Sequence, residues 1–358
     1  MNKFLGLALG IALSSASAAP VLAGTPTAPS DDSLGALSST SSPTAGTVYT
    51  ANENGNSLSA VNPSGQEVET VSVLISPHNV QVSADGRLLL AVGGLAAESA
   101  GHGHDEKRGM LLVFDARALD RGPVSTVKVG RHPAHVVVDA AAERAFVTNS
   151  EDNSLSVIDL SQSRVVREIG TGESPHGLRI GSDGRELYVA NVKGGSVSVI
   201  ETAALREVAR IPVGRAPVQV GFAPDGRRVY VSLRDENSVA VIDTSTRQVI
   251  AKVPVGRGPI QVFATPDGAS VLVANQGTAE QPDDTVSVID TATNRVAATI
   301  ETGRGAHGVV VSPDGRQAYV SNILENSVSV IDVAARRVVR TVAVGEGPNG
   351  ITFRGAVQ

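Results

Sequence analysis

The chain has 358 residues, no cysteine, no tryptophan and a formal net charge of −6. The lack of cysteine excludes disulfides, thiolate metal sites, thiol nucleophiles and a lipid-anchored cysteine. The negative balance opposes general attraction to nucleic acid or anionic membrane, and an aromatic content of only 3% leaves Val, Ile, Leu and Ala to pack the core.

Residues 1–23 read as a secretory signal peptide. Lys3 gives the charged start, Phe4 to Leu13 the apolar stretch, and Ala16-Ser17-Ala18 or Val21-Leu22-Ala23 the small residues for cleavage. That stretch is too short to span a bilayer, and no other segment approaches spanning length. Residues 24–45, rich in Ser, Thr, Pro, Gly and Ala, are expected to be a disordered spacer. The expectation is therefore a periplasmic or secreted protein.

From residue 46 onward the chain repeats. Phe146, Tyr188, Tyr230 and Leu272 follow one another at steps of 42 residues, and Tyr49, Leu89 and Tyr319 hold the same point in the remaining copies. A period of about 40–45 residues with several short apolar runs per copy marks a β-propeller, each copy being one blade. In the copy from Pro175 to Ile211, strands are predicted at His176 to Gly181, Glu186 to Ala190, Ser196 to Ile200 and Arg206 to Ile211. Asp183-Gly184 joins the first two, because Asp-Gly supplies the positive φ that tight hairpins need. The same turn recurs at Asp85, Asp225, Asp267 and Asp314, and a Val-Ile-Asp ending recurs at Asp159, Asp243, Asp290 and Asp332. These short carboxylates are read as turn builders that bond nearby amides.

Second-strand runs begin near Val48, Leu88, Ala145, Leu187, Val229, Val271 and Ala318. First-strand runs begin near His78, Ala134, His176, Val218, Ile260, His307 and Asn349, but the last has no second strand after it. Thr47 to Thr50, conversely, has no first strand before it. The prediction is an all-β, seven-bladed propeller of four-stranded blades over residues 46–358, in which Asn349 to Phe353 completes the blade begun by residues 47–72. Such a ring leaves no open sheet at its seam, and a monomer is expected.

Phe146-Val147-Thr148-Asn149, Tyr188-Val189-Ala190-Asn191 and Tyr319-Val320-Ser321-Asn322, each followed by Ser-Val-Ser-Val-Ile-Asp or a close variant, resemble the YVTN-repeat β-propeller family of bacteria and archaea. The likeness covers roughly residues 46–355, and Leu89 to Gly94 departs from it by lacking the aromatic and the asparagine. The superfamily is also similar to the haem-carrying propeller of nitrite reductase and to lactonase-type propellers. Those relatives imply different functions, so the resemblance fixes architecture only.

In a four-stranded blade the first strand lines the channel, and the loops entering it share a face with the loops joining strands two and three. That face collects Arg131, Arg215, Arg257 and Arg304 at one repeat position, with Glu173 and Glu346 there in two other blades. His78, His176 and His307 follow, while His135, Gln219 and Gln261 stand one place later. Two insertions belong to the same face, Ala96 to Arg108 with His102 and His104, and Gln276 to Asp284 with Glu280, Asp283 and Asp284.

Three readings follow. In the first, the protein is a non-catalytic exported propeller that binds a protein segment or a small anionic ligand at the channel mouth. Arg131, Arg215, Arg257 and Arg304, aided by Gln219 and Gln261, would supply the guanidinium and amide donors. In the second it binds or delivers zinc or copper through His78, His135, His176, His307, His102 and His104, imidazole being a good ligand for both. Against a convergent site, His135 is one residue out of phase, and on a regular strand it points to the other side. The third reading is a lactonase-like or haem-propeller-like enzyme. Nucleic acid is disfavoured because the rim has almost no aromatic stacking platforms. The G-x-G-x-x-G run from Gly303 to Gly308 links two strands and lacks the helix that dinucleotide binding needs.

Overall fold

A computed structural model of the protein describes residues 45–64, 67–96 and 108–355. These residues form seven four-stranded antiparallel sheets. The signal-peptide and spacer assignments, and His102 and His104, lie outside the described residues. Apart from two single 3-10 turns, Leu119–Arg121 and Arg234–Glu236, all regular structure among the described residues is strand. None of it includes a helix long and apolar enough to cross a membrane.

Six blades are continuous in sequence, their first strands being Ile75–Val82, Pro133–Val138, Pro175–Ile180, Pro217–Phe222, Pro259–Ala264 and Ala306–Val311. The seventh is composite: Pro348–Gly355 pairs antiparallel with Gly46–Asn52, matching Gly46 to Gly355 and Thr50 to Ile351. The predicted closure is thus present, and the channel-lining edge of that blade is covered.

The repeat motif has a physical reading at each position. Its aromatic ring is fully buried and reaches toward the next blade: Tyr319 stacks on Phe353 at 5.3 Å and Tyr188 meets Phe222 edge-on at 5.1 Å. The asparagine is buried and ties three strands together. Asn149 Nδ2 donates to Ser154 Oγ at 3.1 Å and Ser156 Oγ at 2.8 Å, and its Oδ1 accepts from the Gly130 amide at 3.0 Å. Asn322 repeats the set with Ser327, Ser329 and Gly303. This explains the alternating serines of strand three, and also the glycine. A Cβ on Gly130 would stand 2.4 Å from the Asn149 side chain.

The hydroxyl before the asparagine joins neighbouring blades. Thr148 Oγ1 accepts from the His135 amide at 3.0 Å and donates to the His176 carbonyl of the next blade at 2.7 Å. Ser321 does the same for Gly308 and Asn349. These bonds fix the backbone where side chains enter the channel.

Candidate functional site at the channel mouth

Each first strand slips register just inside the mouth, between Pro133 and Val136, Pro175 and Leu178, or the corresponding residues of other blades. The extra residue breaks simple alternation, so two successive side chains reach the channel. This corrects the phase argument against His135. The bulge turns it inward, and the ligand nitrogens of His78, His135 and His176 lie within 4.8 Å of one another. The ring centroids are 5.1 Å apart for His78 and His176, 4.7 Å for His135 and His176, and 5.8 Å for His78 and His135.

Glycine makes the room. The two bulge positions read His176-Gly177, His307-Gly308 and Asn349-Gly350 in three blades, but Ala134-His135, Val218-Gln219 and Ile260-Gln261 in three others. A Cβ on Gly177 would stand 2.1 Å from Gln219 Oε1. The missing side chain therefore lets Gln219 reach across, its Nε2 being 3.4 Å from His135 Nδ1.

Hydrogen-bond partners assign the protons. A carbonyl only accepts, so His176 Nδ1, 3.2 Å from Val218 O, carries its hydrogen, as does His307 Nδ1 at 3.2 Å from Asn349 O. His78 Nδ1 donates to the Glu53 carboxylate at 3.1 Å, and Glu53 also accepts from Asn349 Nδ2 at 2.5 Å. The Nε2 atoms of His78 and His176 then face each other at 3.1 Å with a lone pair on each. Only a shared proton or a cation makes that approach favourable.

Burial, then the like charge of neighbouring imidazoles, holds His135 and His176 well below the usual histidine range, and His307 is pushed down to about 4. Burial alone would raise the Glu53 carboxyl. The hydrogen bond and field of His78 and the Asn349 amide outweigh it and hold Glu53 at about 2. His135, His176 and His307 are thus neutral near pH 7, close to one ionised carboxylate. Glu53 and Asn349 escaped the sequence reading, although Glu53 is the only acid directly following the motif asparagine or its equivalent in any copy.

Other expected residues are placed differently. Gln219 and Gln261 are buried, and their Oε1 atoms accept from the Val220 and Val309 amides at 3.0 Å. Arg131 pairs with Asp152 at 2.6 Å, Arg215 Nη2 donates to Asp235 O at 2.9 Å, and Arg257 Nη2 donates to Pro282 O at 3.2 Å. Arg304 is exposed; its carbonyl accepts from the Leu324 amide at 3.2 Å, while its guanidinium makes no hydrogen bond or ion pair with a described residue. His307 faces the same level but stands outside the three-histidine cluster.

Residues 264–356 match the model of the YNCE-like beta-propeller family. That match and the seven-bladed ring are consistent with a YVTN-type repeat. The sequence matches no curated protein. Among solved structures, this propeller superposes on Kuenenia stuttgartiensis hydrazine synthase with a TM-score of 0.66 and 22% identity, over 80% of this chain and 97% of that one. A functionally unknown protein of Desulfotomaculum acetoxidans gives 0.71 and 13%, over 87% and 100% of the two chains. A candidate 6-phosphogluconolactonase of Bacteroides fragilis gives 0.69 and 17%, over 88% and 99%. At such identities the likeness carries the fold alone.

Proposed function

We propose that this is an exported, non-catalytic propeller that binds one divalent transition metal ion, zinc or copper, through His78, His135 and His176. The carrying observation is the 3.1 Å approach of two Nε2 lone pairs, each imidazole being fixed by a proton donated on its other side. Two nitrogens on one tetrahedral zinc, at bonds of about 2.0–2.1 Å, stand roughly 3.3 Å apart. The Glu53 carboxylate behind His78 matches the outer-shell partner that orients metal-ligating histidines. His135 contributes a buried neutral imidazole whose 3.4 Å contact with Gln219 is weak enough to yield to a metal. The rim reading, with a protein segment or anion held by guanidinium groups, has less support, because three of its four arginines are already bonded within the rim.

The test is elemental analysis of the purified protein, then zinc and copper titration of wild type and the His78→Ala/His176→Ala double variant. Wild type is expected to bind one ion with a Kd well below about 1 µM, and the variant at least about 100-fold more weakly, a difference of roughly 2.7 kcal/mol. Micromolar or weaker binding that the substitutions leave unchanged would remove the metal reading.

A further inference from the structure

Two residues past each bulge, the first strands place a second level of side chains in the channel: Gln81, Val137, Arg179, Gly221, Phe263, Val310 and Thr352. Arg179 is the only charged residue among them. With Ile351, Phe353 and neighbouring valines, all of these but Gly221 line a cavity of about 440 Å³ at the mouth opposite the histidines. Gly221 has no side chain to fill the space beside Arg179, and a second hollow of about 270 Å³ continues there against Phe222, Phe263, Pro224 and Pro266.

The Arg179 guanidinium has one hydrogen bond, from Nη1 to the carbonyl of Leu178 at 3.0 Å, and no carboxylate partner among the described residues. A guanidinium presents five donors, so most of its capacity faces the cavity. Burial lowers its pKa to about 10, with no acid to offset the cost. The side chain is half-buried against the cavity, and a partly desolvated charge with no acid beside it is stabilised by an anion that pairs with it. We propose that Arg179 anchors a second ligand site, at the far mouth of the channel, that takes a small monocarboxylate with an apolar body. The planar fork suits a carboxylate. The single positive charge is balanced by one negative charge, and the valine and phenylalanine walls, with only neutral Gln81 and Thr352 among them, suit a hydrocarbon body. This site uses none of the three clustered histidines, so it stands or falls apart from the metal.

The probe is hexanoate, titrated calorimetrically into the purified full-length protein, once with EDTA and once with zinc. Acetate keeps the charge without the body, and 1-hexanol the body without the charge. Hexanoate is expected to bind under both conditions, at least tenfold tighter than either control, and Arg179→Gln to weaken it at least tenfold. Arg179→Lys, which keeps the charge and loses the fork, should weaken it several-fold. Unliganded Arg179→Gln should melt at or above wild type, since it removes an unpaired charge. No hexanoate binding, equal affinity for 1-hexanol, unchanged affinity in Arg179→Gln or Arg179→Lys, or an Arg179→Gln melting point well below wild type overturns the site.

Discussion

Glu53 and His78 meet across the boundary between two blades, carboxylate Oε1 to imidazole Nδ1, at 3.1 Å. Glu53 belongs to the composite blade and His78 to the blade after it, and Asn349, from the strand that completes the composite blade, holds the other carboxylate oxygen at 2.5 Å. Replacing Glu53 by Gln should keep the shape but remove the fixed acceptor behind His78. Zinc or copper affinity is expected to fall by roughly 10–100-fold with stoichiometry unchanged. Titration of the Glu53→Gln variant checks this, and an unaltered affinity would mean that the carboxylate does not orient the ligand.

Asn149→Ala should be among the most destabilising polar substitutions. It removes two bonds to serine hydroxyls and leaves the Gly130 amide without its acceptor. At about 1 kcal/mol per bond, plus the cost of the orphaned groups, the loss is roughly 2–4 kcal/mol. Denaturant unfolding with an unchanged m-value would measure it. Gly130→Ala should be destabilised as well, since its new methyl meets the same asparagine at 2.4 Å.

The metal-free protein should lose stability as pH falls from about 6.5 to 4. Native His307 is held at about 4, and His135 and His176 also lie well below the ordinary value near 6.5. Above that ordinary value both native and unfolded chains are neutral at these positions. Below it the unfolded chain takes up protons that the native one refuses, which favours unfolding. For His307 alone the effect is on the order of 3 kcal/mol. Melting curves of wild type and His307→Gln between pH 7 and pH 4.5 should converge as the pH drops, and parallel curves would refute the assignment.

Deleting residues 348–358 should strip the composite blade of its channel-lining strand and expose the edge of Gly46–Asn52. The cost of an unpaired strand and an open ring is several kcal/mol, so Tm should fall by more than about 10 °C. Calorimetry decides, and an unchanged melting curve would show that closure contributes little.

The 42-residue spacing made the ring legible, and the mismatch between first-strand and second-strand runs made its seam legible. The bulges were harder to see. Period-two alternation put His135 and His176 on opposite sides, whereas the register shift brings both inward. The signal lay in the pairs: glycine follows His176, His307 and Asn349, while small or aliphatic residues precede His135, Gln219 and Gln261. Arg179 was hidden for a simpler reason. Its strand neighbours are ordinary, and it stands out only when the seven copies are compared level by level. The rim arginines were conspicuous in sequence, yet most of them reach only backbone and acids of the neighbouring rim turn, 20 to 25 residues further on.

Because Asn349 and Glu53 both belong to the composite blade and both contact His78, an ion bound there as proposed would hold the first and last strands of the propeller together. Occupancy and the latch are therefore coupled in both directions. A metal ion held at His78 as proposed would resist fraying where Pro348–Gly355 joins Gly46–Asn52, and fraying there would loosen its hold on the ion.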